Sequence, residues 1–104
     1  MYVLHCKYRC WVEWDETKNE VNRTKHGIDF ETAQLVFDDP CCVTFVERVT
    51  EGEVRWHAIG SIESLIVLVV AHTYREEASD EVVRIISARL ATRREKRLYA
   101  QAIA

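Results

Sequence analysis

The residues best equipped for chemistry cluster late in the chain, in the stretch Ile85 to Glu95, IISARLATRRE. It reads as a buried strand that delivers Arg89, followed at once by a helix with a basic first turn. Thr92 and Glu95 have the Thr-x-x-Glu spacing of a capping box, which starts that helix at Arg93. Arg93 and Arg94 then stand where the helix macrodipole is already positive. Each cation there is disfavoured by roughly 0.3–1 kcal/mol when weakly screened. Such a turn suits an anion, because helix N-termini already favour phosphate. The plain alternative is a solvated basic turn with salt bridges to nearby acids.

Further candidates lie in strands. Arg55 and His57 alternate to one side of a strand, with Trp56 on the other. His72 and Tyr74 share a side near the end of a long apolar strand. Simple parity puts Arg84 and Arg89 on opposite faces, unless a bulge or bend at Ser87 intervenes. The chemistry such a set suits is cleavage of an RNA phosphodiester. The 2′-hydroxyl attacks its own phosphate; the protein orients it, accepts a proton, donates one and neutralises the crowded phosphorane. Arginine's planar fork matches phosphate, and histidine or lysine can move the protons. Each residue also has a bland reading: Arg55 paired with Glu53, the two strand histidines satisfied within the fold, Trp56 in the core. There is no Ser/His/acid triad, no Gly-rich phosphate loop and no cluster with zinc-ligand spacing, so neither a metal nor another cofactor is expected.

These side chains need elements to hold them. Asp15 is a plausible N-cap for a helix ending near His26, with Gly27 as its C-terminal glycine. Val21 is its only sizeable apolar residue, while Asn19, Asn22 and His26 share one face. That face reads either as exposed or as one wall of a polar site holding Asn22, Lys25 and His26. A second short helix runs from Asp29 to about Phe37, buried through Phe30, Ala33, Leu35, Val36 and Phe37, and stopped by Pro40. Strand signals follow at Cys42–Val49, Val54–Ile59, Leu65–Tyr74 and Val82–Ala88, with turns at Glu51-Gly52, Gly60-Ser61 and Ala78-Ser79-Asp80. The short connections argue for an antiparallel meander. A short strand near Val12 precedes the helices. The last helix packs through Leu98, Tyr99, Ala102 and Ile103.

With 104 residues the chain reads as one domain, 1–104, able to bury a modest core. Its net charge of −3 argues against a general nucleic-acid coat. The average hides a basic segment: Arg84 to Ala104 carries Arg84, Arg89, Arg93, Arg94, Lys96 and Arg97 against the single acid Glu95. The cysteines Cys6, Cys10, Cys41 and Cys42 contain no C-x-x-C pair. Cys41-Cys42 reads as packing, and a His5/Cys6/Cys10 metal site has weak spacing. There is no secretory apolar region and no run long enough to span a bilayer. A cytoplasmic chain with reduced thiols and no membrane partner is expected.

Taken together, the segments VEWDETKNEVNRTKHGIDFETAQLVFDDP, EGEVRWHAIG, VVAHTYR and VVRIISARLATRREKRLY resemble the BrnT toxins of type II toxin–antitoxin systems. The resemblance runs from Val12 to Tyr99. It rests on ordered motifs: Glu13-Trp14-Asp15, Lys25-His26-Gly27, Phe37-Asp38-Asp39-Pro40, Arg55-Trp56 and the Ile85-to-Glu95 block. Segment 1–11 then counts as an N-terminal extension. The resemblance implies an α+β, RelE-like ribonuclease fold: a small antiparallel sheet of about four to five strands, two N-terminal helices and one C-terminal helix. It implies an RNA-cleaving toxin that halts translation and is neutralised by a BrnA-like antitoxin. Operator DNA would be reached only indirectly, through that antitoxin. The positions that match family motifs and can act on phosphate are Lys25, His26, Arg55, His72, Arg84 and Arg89. Arg84 and Arg89 are read as phosphate ligands, Lys25 and His26 as proton carriers, and Arg93, Arg94 and Asn22 as RNA contacts. Tyr74 stands where relatives commonly carry an acid. His57 stands where they often carry an aliphatic residue, and is discounted. The competing class is a non-catalytic protein-binding module of a regulatory complex.

Overall fold

Asp15 ends one strand and caps the next helix: its carboxylate accepts the Thr17 backbone N–H at 2.8 Å. Helix α1 (Glu16–His26) stops at Gly27, whose φ of 73° is the left-handed cap that glycine adopts freely. In the computed structural model the described residues are 2–7, 10–63, 66–77 and 80–103, with side chains over 11–63, 66–76 and 81–102. Asp29 caps α2 (Phe30–Ala33) by accepting the Thr32 N–H at 2.7 Å. α2 tightens at once into a 3-10 turn, Gln34–Asp38. The single helix expected to Phe37 is therefore split, and Leu35 points largely outward, 42% exposed, while Phe30, Ala33 and Val36 are buried.

The strands are β1 (Tyr2–Lys7), β2 (Cys10–Asp15), β3 (Val43–Thr50), β4 (Glu53–Glu63), β5 (Ile66–Glu77) and β6 (Asp80–Leu90). They form one sheet in the order β1-β2-β6-β5-β4-β3. The expected antiparallel sheet of four to five strands is corrected on two points. Among the described residues there are six strands, because Tyr2–Lys7 pairs along β2, and β2 joins β6 in parallel. Val12 and Trp14 alternate onto the core face beside Val83 and Ile85, and the helices and meander between β2 and β6 supply the long crossover that parallel pairing needs. Gly60-Ser61 is no turn either: β4 runs on to Glu63. Gly60 is there for close approach, since a Cβ would meet Val36 Cγ1 at 2.8 Å. Residues 78 and 79 of the expected final turn lie outside the described residues.

One sheet face carries the main core: Val12, Trp14, Ala58, Leu68, Val70, Val83, Ile85 and Ala88, covered by Phe30, Ala33 and Val36. The other face holds a smaller cluster, Ile59, Val69 and Ala91, against Phe45 and Tyr99. Tyr99 comes from α3 (Arg93–Ile103). Of the other side chains expected to pack α3, Leu98 is 42% exposed, Ala102 is exposed and Ile103 lies outside the described side chains. Polar contacts hold the helix instead. Asp39 accepts hydrogen bonds from the Tyr99 hydroxyl, from the Ser61 N–H at 2.8 Å and from the Cys41 N–H at 2.9 Å. Tyr99 is pushed up to about 12 by that carboxylate. Asp39 thus joins the 3-10 turn, β4 and α3.

Helix α1 is also docked by polar groups. The Asn22 amide donates to the Ile28 carbonyl at 2.8 Å and the Ala88 carbonyl at 2.9 Å, and accepts from the Ala88 N–H at 3.1 Å. The last β2–β6 pair is Trp14–Ile85. Beyond it β6 has lost its neighbour, and the amide supplies the missing strand partner. Asn19 likewise accepts the Phe30 N–H at 2.8 Å. Both asparagines are buried. Asn22 is thereby removed from the expected RNA contacts, because its donors and acceptor are used inside the fold.

Asn22→Leu is expected to unfold more easily. Each buried group left unpaired costs roughly 1–3 kcal/mol, so the loss is about 3 kcal/mol or more. Urea titration reads it directly; a loss under about 0.5 kcal/mol would show that the amide is not the joint.

Candidate active site

The two arginines that parity separates are brought together by one extra residue. Ala71 pairs with Ser87 while His72 pairs with Ile85, so Ile86 is a bulge in β6. Arg84 and Arg89 then face Thr73 and Val69, which lie on the same side of β5. On β4, His57 and Ile59 pair with Ala71 and Val69, so His57 shares that side, and Arg55 two residues earlier shares it too. One row, Phe45–His57–Ala71–Ser87, crosses from β3 to β6. Arg48 faces Arg55 across the next pair, after a register shift at Glu47. This is the face opposite the main core. It gathers Arg55, His57, Arg84 and Arg89, with Arg48 and Arg75 at its margins.

Carboxylates pair with four of these arginines. Glu13, its side chain 5% exposed, takes a hydrogen-bonded pair from Arg75 and a 3.4 Å contact from Arg84 Nε. The Arg75 hydrogen bond, then the charges of Arg75 and Arg84, overcome burial and hold Glu13 below the usual carboxylate range. Arg89 makes a fork with Glu95, Nη1–Oε1 at 2.7 Å and Nη2–Oε2 at 2.9 Å. Glu95 also closes the expected capping box: it accepts the Thr92 N–H at 2.8 Å, and its own N–H donates to Thr92 Oγ1 at 3.2 Å. Arg89, then Thr92, pull Glu95 down to about 2. Arg48 pairs with Glu47 at 3.2 Å. Among the described residues, Arg55 has no carboxylate partner.

The remaining candidates divide. Lys25 and His26 are exposed on the last turn of α1 and line a cavity of about 290 Å³ with Lys18, Val21, Ile86 and Ser87. Ser87 belongs to the arginine-face row, so this cavity adjoins that face along β6. Arg93 and Arg94 are exposed on the first turn of α3, directly beyond the Arg89–Glu95 fork. His72 is corrected. It is 0% exposed on the opposite face, between Phe37 and Tyr74, and burial pushes it down to about 4. A sealed neutral imidazole cannot exchange protons with a substrate on the other side of the sheet.

Sequence reasoning missed Glu13 and Arg75. Strand parity held the signal for Glu13, since burying Trp14 on one face sends Glu13 to the other. Cys41 and Cys42 are free and half-buried, and burial pushes the Cys42 thiol up to about 11, in keeping with packing. The side chains of His5, Cys6 and Cys10 lie outside the described residues.

Residues 14–95 match the model of a family described as the ribonuclease toxin BrnT of type II toxin–antitoxin systems. The chain belongs to the BrnT family. A solved relative is the Brucella abortus ribonuclease toxin BrnT, known from a 1.1 Å crystal structure. It is 29% identical, with a TM-score of 0.55, and the alignment covers 77% of this chain and 94% of that one. A comparison with curated proteins finds no match. BrnT membership makes this chain the toxin of a type II pair, with an antitoxin as its partner. The whole arginine face except Glu13 falls within the BrnT match. Among the described residues no helix is long and apolar enough to cross a membrane.

The depressed Glu95 contributes stability that is fully present above the ordinary carboxylate value of 4.5 and is lost as pH falls toward about 2. Glu95→Gln is therefore expected to lower Tm at pH 7 and to lose less additional Tm than wild type between pH 5 and 2. Equal acid slopes in the two proteins would detach the fork from folding.

Proposed function

We propose that the chain is a metal-independent endoribonuclease whose RNA lies across the sheet face bearing Arg55, Arg84 and Arg89. The Ile86 bulge is the observation that carries this reading. It sets Arg84 and Arg89 on the face that already holds Arg55 and His57, inside a chain of the ribonuclease-toxin family. RNA supplies its own nucleophile, so the protein's task is to orient the 2′-hydroxyl, move protons and neutralise the phosphorane. Guanidinium forks suit that last task. Lys25 and His26, which line a cavity with Ser87, carry protons at one margin in this reading. Arg93 and Arg94 extend the positive surface along the strand of RNA. Single-stranded RNA fits best, because its bases can splay and stack.

In this reading residues 1–104 work as one RelE-like unit in the cytoplasm, with 1–11 added ahead of the family core. Cleavage halts translation. A BrnA-like antitoxin blocks it by covering the arginine face, and touches operator DNA on the toxin's behalf. One observation favours a second reading, a non-catalytic protein-binding module: Arg84 and Arg89 already have carboxylate partners in Glu13 and Glu95.

Purified protein is expected to cut total RNA in EDTA and to leave 2′,3′-cyclic phosphate ends. Arg55→Ala is expected to reduce cleavage by about 10²-fold, the scale for losing one donor to a developing oxyanion. Activity that EDTA abolishes and added divalent metal restores would contradict metal independence. Folded Arg55→Ala, Arg84→Ala and Arg89→Ala proteins that all cut at the wild-type rate would remove this face from the mechanism.

A further inference from the structure

Three histidines have described side chains, and they occupy three different environments. His26 is exposed at the end of α1, and His72 is sealed into the opposite face. His57 alone stands half-buried among the arginines. Its ring meets Phe45 edge to face, centroids 5.7 Å apart at 78°, a contact that fixes the imidazole plane. Among the described residues neither ring nitrogen is hydrogen-bonded to a protein group. Across β5 its row-mate is Ala71, a buried small side chain, with Ser87 of β6 beyond it in the same row. Strands lie about 4.8 Å apart, so β4 and β6 are separated by roughly 10 Å. His57 and Arg55 stand on one side of that interval and Arg89 on the other, Arg89 and Arg55 near enough to act on the His57 charge, while Arg84 turns toward Glu13 on β2.

The charged groups that act on His57 come from β3, β4, β6 and α3. Burial is the largest influence and favours the neutral ring; Arg89 on β6 and Arg55 on β4 act the same way. Glu47 on β3 and Glu95 on α3 oppose them. The balance lowers the ring from the ordinary value of 6.5 and so favours its neutral form.

We propose that His57 is the general base of RNA cleavage on this face. The proposal rests on the ribonuclease reading and names its proton acceptor; it reverses the discounting of His57, and because relatives often carry an aliphatic residue at this position the base would be particular to this chain. The imidazole takes the 2′-hydroxyl proton as the 2′-oxygen bonds to phosphorus. The P–O5′ bond breaks, and O5′ leaves with a proton carried in from the Lys25–His26 margin. The products are a 2′,3′-cyclic phosphate and a 5′-hydroxyl, and the imidazolium returns its proton to water. The arginines on either side hold the non-bridging oxygens.

The test compares wild type with His57→Gln on a short oligoribonucleotide from pH 5 to 9. Wild-type kcat/KM is expected to rise with pH through a value below 6.5 and then level off. His57→Gln is expected to lose about 10²–10⁴-fold and to lose that rising limb. A second measurement needs no turnover or variant. NMR titration of the wild-type His57 ring with and without cytidine 2′-monophosphate is expected to show its pKa raised by the bound phosphate. A variant that keeps the wild-type rate and limb, or a His57 titration that the nucleotide leaves unmoved, overturns the assignment while RNA cleavage stands. Wild-type protein that cuts no RNA overturns the ribonuclease reading and this proposal with it. If His57→Gln fails to fold, the wild-type titration decides.

Discussion

One inserted residue governs the arginine-bearing side of this molecule. A strand without the Ile86 bulge would send Arg84 and Arg89 to opposite faces, and one of them would meet the apolar core. The bulge keeps the apolar side chains Val83, Ile85 and Ala88 inward and both arginines outward. It also sits where β6 changes neighbours. Before it, β6 pairs with β2; after it, the Asn22 amide takes over at Ala88. Strand register, helix docking and arginine placement therefore depend on the same few residues.

The arginine face is held in tension between order and availability. Long guanidinium side chains lose conformational freedom when fixed, and a carboxylate that fixes them in advance lowers that cost at binding. The same carboxylate competes with phosphate. Glu13 shares itself between two arginines, with the Arg84 contact the longer one. Glu95 grips Arg89 by both oxygens while also capping α3. Arg55 has neither constraint among the described residues. The face thus offers three grades of commitment, and the least committed arginine lies beside the half-buried histidine.

Much of this was legible in the residues. Asp15, Asp29, Gly27 and the Thr92–Glu95 box stand where their local chemistry says, because capping is a short-range interaction visible within a few positions. The other strands, from β2 to β6, were legible from their apolar patterning, apart from the extension of β4 through Gly60. That glycine looks like a turn in sequence and is a packing requirement imposed by Val36. What sequence could not give was long-range. Sequence could name a bulge at Ser87 as the alternative to parity but not choose it, and nothing near Asn22 signals that its amide will complete a strand 66 residues away. His72 looked like chemistry and is core; Asn22 looked like a contact and is a joint. The added edge strand and the parallel β2–β6 pair were hidden too, since both depend on what the meander later leaves open.

The strand Tyr2–Lys7 has a consequence for how the sheet can grow. β2 would otherwise expose its outer row of N–H and C=O groups, and β1 occupies that row. The exposed margins of the sheet are therefore β1 at one end and β3 at the other. β3 is the longer strand, its side chains Val46 and Val49 are exposed, and it is irregular at Glu47. Irregular edges discourage indiscriminate strand addition. Any chain that extends this sheet by backbone pairing must do so along one of those two margins, and only the β3 margin adjoins the strand that carries Arg55 and His57.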